Sequence, residues 1–324
     1  MNPYSGQNIL GFFVTFFCRI AGFVNGEIPL GALASDEVQV IVLMLAAVSC
    51  GLIGTFLVLK KMTMLANSLS HTVLPGLVIA YLLFCRAEGA KGVYNFDVST
   101  LLAASLITAI LTVVSTQLLT QFLRLQEDAS IGIVSTVMVA IGVVLVTVFT
   151  RNTHLGIEAI TGNVDALHIE DIKIVAFVAL FNVAVISLFF KEFKLCAFDP
   201  AFARAQGFAP TYFDYLLMLL TSMTVIAAFR AVGILLVLSF LVGPVLTARL
   251  FSHRLLSVLL LSIGIGAGVS LLSVALSRHV LSVYYTPVST SGLLATLLGL
   301  VYLVCWVCVG IRQSFTRQNR LKRT

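Results

Sequence analysis

Long apolar runs separated by short polar breaks make up almost the whole chain. They predict helices near Ile9–Val24, Val38–Leu59, Thr63–Phe84, Val98–Leu119, Ile131–Thr150, Ile172–Phe190, Asp214–Phe229, Val232–Ala248, Leu255–Ser277 and Ser291–Gly310. Most approach the roughly 20 residues needed to cross a bilayer as a helix, and all exceed the roughly 10 alternating residues of a barrel strand. The expected fold is therefore an all-α polytopic membrane protein of about ten transmembrane helices (8–10), a single transmembrane domain over residues 1–324. Two segments are ambiguous. Asp214–Leu250 carries only Arg230 near its middle and reads as two short helices or as one span with a buried half-helix. Ile9–Val24 is short and holds Arg19, and Ala32-Leu33-Ala34 resembles a signal cleavage site. Residues 1–8 contain no Lys or Arg and that site lies far from the apolar run, so a retained helix is expected.

Composition sharpens this picture. Of 324 residues, 59% are hydrophobic and only 10% charged, far from the about 25% charged of a soluble domain. The net charge of +6 comes with no basic face or motif for nucleic acid, which is excluded as a partner. Lys and Arg divide unevenly between alternate loops. Lys60, Lys61, Arg124, Lys191, Lys194, Arg204, Arg249, Arg254 and the tail Arg312, Arg317, Arg320, Lys322 and Arg323 fall on one side, against Arg86, Lys91, Arg151, Lys173, Arg230 and Arg278 on the other. The richer side, with both termini, is expected in the cytoplasm, and the tail can touch anionic lipid heads. No Gly-Lys-Ser or Gly-Lys-Thr phosphate loop occurs, so any ATP must be bound by another chain.

Polar groups at membrane depth are few and costly. Asn67 and His71 are four residues apart and share a helix face, which Pro75 extends by another turn. Pro75 cannot donate to the carbonyl of residue 71, so a polar stripe, an imidazole and a loosened backbone coincide. Two readings stand open: a metal-contacting site in a translocation path with Ser70, Pro75 and Gly76 as path or hinge, or a histidine bonded to a neighbouring helix. Cys305-Trp306-Val307-Cys308 reads as ordinary membrane-helix residues rather than a soft-metal pair, and the other cysteines imply no disulfide framework. The segment Arg151–Asp171 holds His154, Glu158, Asp165 and His168, either an outer metal-collecting or docking surface or a solvated loop. Gly264, Gly266 and Gly268 read as small residues for close helix packing. In the polar segment Lys191–Phe213, Asp199 followed by Pro200 is a helix start, and Gly207 with Pro210 a stop. A seven-residue helix, Pro200–Gln206, is expected there, with Phe198 and Phe202 as an apolar ridge. It is either a docking element for a cytoplasmic partner or a linker lying on the membrane.

Three stretches resemble one family in the family's own order. The first is Gly51-Leu52-Ile53-Gly54-Thr55-Phe56-Leu57-Val58-Leu59-Lys60-Lys61-Met62, running into Ser70-His71-Thr72-Val73-Leu74-Pro75-Gly76. The second is Glu127-Asp128-Ala129-Ser130-Ile131-Gly132-Ile133. The third runs from Phe198 to Gly207, followed by Ala231-Val232-Gly233-Ile234-Leu235-Leu236-Val237 and Pro244. On these residues the chain resembles the integral-membrane permease subunit of bacterial zinc, manganese and iron ABC importers. The resemblance covers about Val38 to the last span. It divides the chain into a 1–37 extension with a first helix, a 38–311 core and a 312–324 basic cytoplasmic tail.

The resemblance implies a multi-pass protein of the bacterial inner membrane that is not itself an enzyme. Its expected cargo is a divalent metal ion (Zn, Mn or Fe), with no covalently bound cofactor. Its expected partners are cytoplasmic ABC ATPase subunits that hold the ATP, an extracytoplasmic metal-binding protein, a second permease copy or paralogous permease, and the lipid bilayer. Asp199, Pro200, Phe202, Arg204 and Gly207 match the loop that couples hydrolysis to the permease, and His71 matches a histidine that lines the metal path. One departure matters: the family usually has Asp where Asn67 stands, and an amide oxygen solvates a divalent ion more weakly than a carboxylate does. The rival readings are an ABC permease for a metal chelate or cobalamin-type cargo, and a secondary metal transporter.

Overall fold

The computed structural model describes residues 3–4, 9–25, 33–64, 68–69, 75–76, 79, 98–149, 164, 167, 169–286 and 288–321. Among them the regular structure is entirely helical: α1 (Ile9–Val24), α2 (Ser35–Leu59), α3 (Val98–Phe122), α4 (Glu127–Phe149), α5 (Ile169–Leu188), α6 (Phe190–Phe198), α7 (Pro200–Ala205), α8 (Pro210–Val232), α9 (Ile234–Phe251), α10 (Leu255–Tyr284) and α11 (Thr290–Leu321). Six stretches are long and apolar enough to cross a membrane: Ser35–Leu59, Asp128–Leu145, Ile169–Leu188, Pro210–Phe229, Leu255–Tyr284 and Thr290–Arg312. Gly11–Phe23, Leu106–Phe122 and Leu236–Phe251 are shorter apolar stretches. Most of the expected run Thr63–Phe84 lies outside the described residues.

The helices follow the hydropathy pattern in order and differ mainly at their ends. α10 and α11 run past the expected Ser277 and Gly310 because neither 278–284 nor 311–321 contains a Gly or Pro to stop them. The ambiguous Asp214–Leu250 stretch is two helices, α8 and α9. They part at Gly233 (φ 85°, ψ 164°), a backbone conformation essentially confined to glycine, and not at the charged Arg230. One expectation is corrected: residues 191–198, read as loop, belong to helix α6 (Phe190–Phe198). Phe193 and Cys196, three residues apart on one face, are buried there and supply the packing that a short helix needs.

The fold divides into two compact units: Met1–Thr55, Val164–Ala176 and Ser239–Thr324 form the first, Phe56–Asn163 and Phe177–Leu238 the second. In the first, α2 presents small residues to its neighbours. A Cβ on Gly54 would collide with the Leu241 carbonyl oxygen of α9. One on Gly51 would lie 3.0 Å from the Ile263 side chain of α10. Of the three glycines expected to pack helices, Gly266 alone does so among the described residues, with 3.1 Å from an added Cβ to Ala47; Gly264 and Gly268 meet none of these residues within 4 Å. In the second unit, α3 packs against α4 and α8. Buried Asn182 of α5 donates to Thr224 Oγ1 of α8 at 2.7 Å, a polar tie between helices. Hydroxyls within the helices mostly bond back one turn, as Thr112, Thr116 and Thr120 do, so these spans carry threonine without orphaned donors.

Candidate functional site

The best-defined exposed element is α7. The Asp199 carboxylate caps it, with Oδ1 accepting from the Ala201 and Phe202 amides at 3.1 and 3.0 Å, and Pro200 occupies the first turn, where no amide proton is needed. The other end closes in a Schellman motif. Gly207 at φ 85° donates to Arg204 O at 3.0 Å, and Phe208 donates to Ala203 O at 3.0 Å. The helix thus ends at Ala205, with Gln206 as its cap, one residue short of the sequence expectation. Only Ala203 is buried. Phe198 (58% exposed), Phe202 (50%) and Phe208 (37%) leave an aromatic ridge uncovered, with Arg204 exposed beside it.

The same unit supplies a rigid mount. Phe193 of α6 lies 5.5 Å from Phe56 and 5.4 Å from Phe213 between ring centroids. Phe190 adds an edge contact to Phe56, and Phe189 one to Phe213. Beside this cluster Lys60 pairs with Asp214. Lys60 reads from sequence as a loop cation, yet its side chain is only 8% exposed. α2 ends in its own Schellman motif, with Lys61 at φ 61° and Met62 donating to Leu57 O at 2.9 Å, and this turn carries Lys60. Burial raises the Cys196 thiol above its ordinary range; Lys60 opposes the shift, and Asp214 and Glu192 add to it. A protonated, buried thiol is neither a nucleophile nor a metal ligand. The sequence reading missed both the Phe cluster and the ion pair. The available signal was Asp214, a lone carboxylate in the first turns of a helix opened by Pro210.

The metal-path candidates are placed only in part. Asn67, Ser70 and His71 lie outside the described residues, while Pro75 and Gly76 are helical and buried. His154, Glu158, Asp165 and His168 also lie outside them. No cluster of three or more His, Cys, Asp or Glu suited to a metal occurs among the described residues. Cys305 is partly covered and Cys308 exposed on α11, beside the exposed Trp306, as expected of ordinary residues on an outward helix face.

The ABC 3 transport family matches residues 37–309. This chain belongs to that family. The match starts one residue before the resemblance drawn from the sequence and ends inside the last expected span. A protein of Chlamydia trachomatis called a probable metal transport system membrane protein is 36% identical over 323 residues, covering 100% of this chain and 99% of its own length. The manganese transport system membrane protein MntD of Bacillus subtilis is 38% identical, over 80% of this chain and 86% of its own. Among solved structures, PsaBC from Streptococcus pneumoniae, in complex with Fab, superposes with a TM-score of 0.70 at 24% identity. That superposition covers 89% of this chain and 95% of the other, and it shows the shared family fold. The residues before position 37 stand outside the family match but inside the full-length chlamydial one.

Proposed function

We propose that this chain is the membrane permease subunit of an ATP-driven importer of a divalent metal ion, with manganese the leading cargo over zinc and iron. The observation that carries the reading is the extended identity to relatives named for metal and manganese transport, joined to a family match over residues 37–309. In this reading about ten helices span the inner membrane and both termini are cytoplasmic. Residues 1–37 extend a 38–311 core, and 312–324 form a basic cytoplasmic tail. ATP is hydrolysed on separate cytoplasmic subunits, a metal-binding protein delivers the ion from outside, and a second permease, identical or paralogous, completes the pathway.

The residues divide the work. The Phe198–Phe202–Phe208 ridge and Arg204 of the capped α7 form the surface that the ATPase grips. The aromatic mount and the Lys60–Asp214 pair make that grip stiff, so a displacement of α7 is passed on rather than absorbed. His71 and Asn67 contact the ion in transit, with Ser70, Pro75 and Gly76 forming the yielding part of the path, and His154, Glu158, Asp165 and His168 meet it or its carrier outside. Neutral imidazole with an amide oxygen binds a divalent ion weakly, which suits a conduction site: a deep well would trap the cargo. Copurification tests the class. Purified in mild detergent with its cognate ATPase, the chain is expected to hold that subunit, and Phe202→Ala with Arg204→Glu to release it. A chain that carries no ATPase under any of these conditions contradicts the ABC assignment and favours a secondary transporter.

A further inference from the structure

The first turn of α2 carries two consecutive carboxylates, Asp36 and Glu37, both almost fully buried, and each is held by a cation from a different helix. Glu37 Oε1 accepts from the Tyr4 hydroxyl at 2.7 Å and from Arg19 Nε. Its Oε2 accepts from the Ala34 amide at 2.8 Å and from Arg19 Nη2 at 3.3 Å. Asp36 pairs with Arg278 of α10. A helix N-terminus favours carboxylates, but burial would make either one costly without these partners. Burial, followed by the Glu37 carboxylate beside it, holds the Tyr4 phenol above its usual range, so it stays a donor. Its ring lies 4.9 Å from Phe12, which stacks on Phe16, so Tyr4 is seated against α1. α1 in turn packs on α10. A cavity of about 260 Å³, with Ser35, Gln39, Ser277 and Thr290 on its polar side and Val274, Leu281 and Val288 on its apolar side, opens beside the Asp36–Arg278 pair.

Among the described residues the side-chain partners of Glu37, Tyr4 and Arg19, precede the family-matched region, and Glu37 is that region's first residue. We propose that the N-terminal segment is a built-in clamp, in which Tyr4 and Arg19 grip Glu37 while Arg278 grips Asp36, so that the first turn of α2 is fixed to both α1 and α10. Tyr4, Arg19 and Arg278 are positioning residues. They hold the start of α2, the helix that leads along the chain into the Asn67–His71 segment, and they complete a core that the matched region alone leaves with an unneutralised buried carboxylate.

The test is a thermal-unfolding cycle on the full-length protein in lipid nanodiscs, joined to ATP-driven manganese uptake per assembled complex; only the uptake arm rests on the proposed cargo. Arg19→Leu and Glu37→Leu are each expected to lower the Tm by about 5 °C or more, and the pair together by clearly less than the sum. Uptake in each single variant should fall about tenfold, by misplacement rather than loss of assembly, with Vmax carrying the loss and the apparent KM little changed. The swap Arg19→Glu with Glu37→Arg should recover part of both readouts. Additive singles, or singles indistinguishable from wild type, overturn the clamp. If the leucine variants fail to insert, Arg19→Lys and Tyr4→Phe decide the matter: partial losses support the clamp and wild-type behaviour refutes it. If the wild type imports no ion, the cargo proposal fails while the thermal cycle still decides the clamp.

Discussion

A few side chains do a disproportionate share of the work in this chain, because each settles a group that would otherwise be costly. Asp199 and Gly207 close the two ends of a six-residue helix that is too short to persist on its own propensity. Asp199→Ala should cost about 1 kcal/mol through the lost cap. Gly207→Ala should cost about 1–2 kcal/mol through left-handed strain, since nothing crowds an added Cβ there. Both variants should stay folded in a thermal scan yet lose ATP-driven transport, because the damage is confined to α7. Lys60 and Asp214 make the complementary case. Lys60→Met alone leaves the Asp214 carboxylate unpaired and should cost about 2 kcal/mol, less than a fully buried pair because Asp214 keeps 28% of its side-chain exposure. Lys60→Met with Asp214→Leu should recover most of that loss, measured as Tm in the same detergent.

At the level of elements, close approach of helices rests on positions where a side chain cannot fit. Gly54→Ala drives a methyl into the Leu241 carbonyl and should cost about 1–3 kcal/mol, whereas Gly264→Ala and Gly268→Ala, with open space, should be silent in the same unfolding assay. Hydropathy located almost every helix, because burial in lipid demands an unbroken apolar run, and the Asp199-Pro200 and Gly207 signals placed α7 to within one residue. α6 escaped notice because Phe190–Phe198 carries three charged residues, and its stability comes from tertiary contacts of Phe193 with Phe56 and Phe213, distant in sequence. Which of three evenly spaced glycines touches a neighbour is likewise a property of the packed fold. The same holds for Arg19, which from sequence reads only as a cation snorkelling or at an interface: its partner, Glu37, lies 18 residues further on, in another helix.

For the molecule as a whole, the family match gives the class, and the residues that set cargo and direction are the ones that experiment must now address. In the proposed path, an amide at Asn67 instead of the carboxylate that the family resemblance implies predicts passage of the ion with little retention. Asn67→Asp should therefore tighten apparent metal binding and slow turnover, seen as a lower KM together with a lower Vmax for uptake. The most direct measurement reconstitutes this chain with its cognate ATPase and binding protein in liposomes, and follows ATP-dependent entry of manganese, zinc and iron side by side, with His71→Ala as the paired variant. Manganese is expected to enter fastest, and only with ATP, and His71→Ala to lose most of that flux while still binding the ATPase. Vesicles in which the ATPase stays bound and turns over but none of the three ions enters would contradict this expectation.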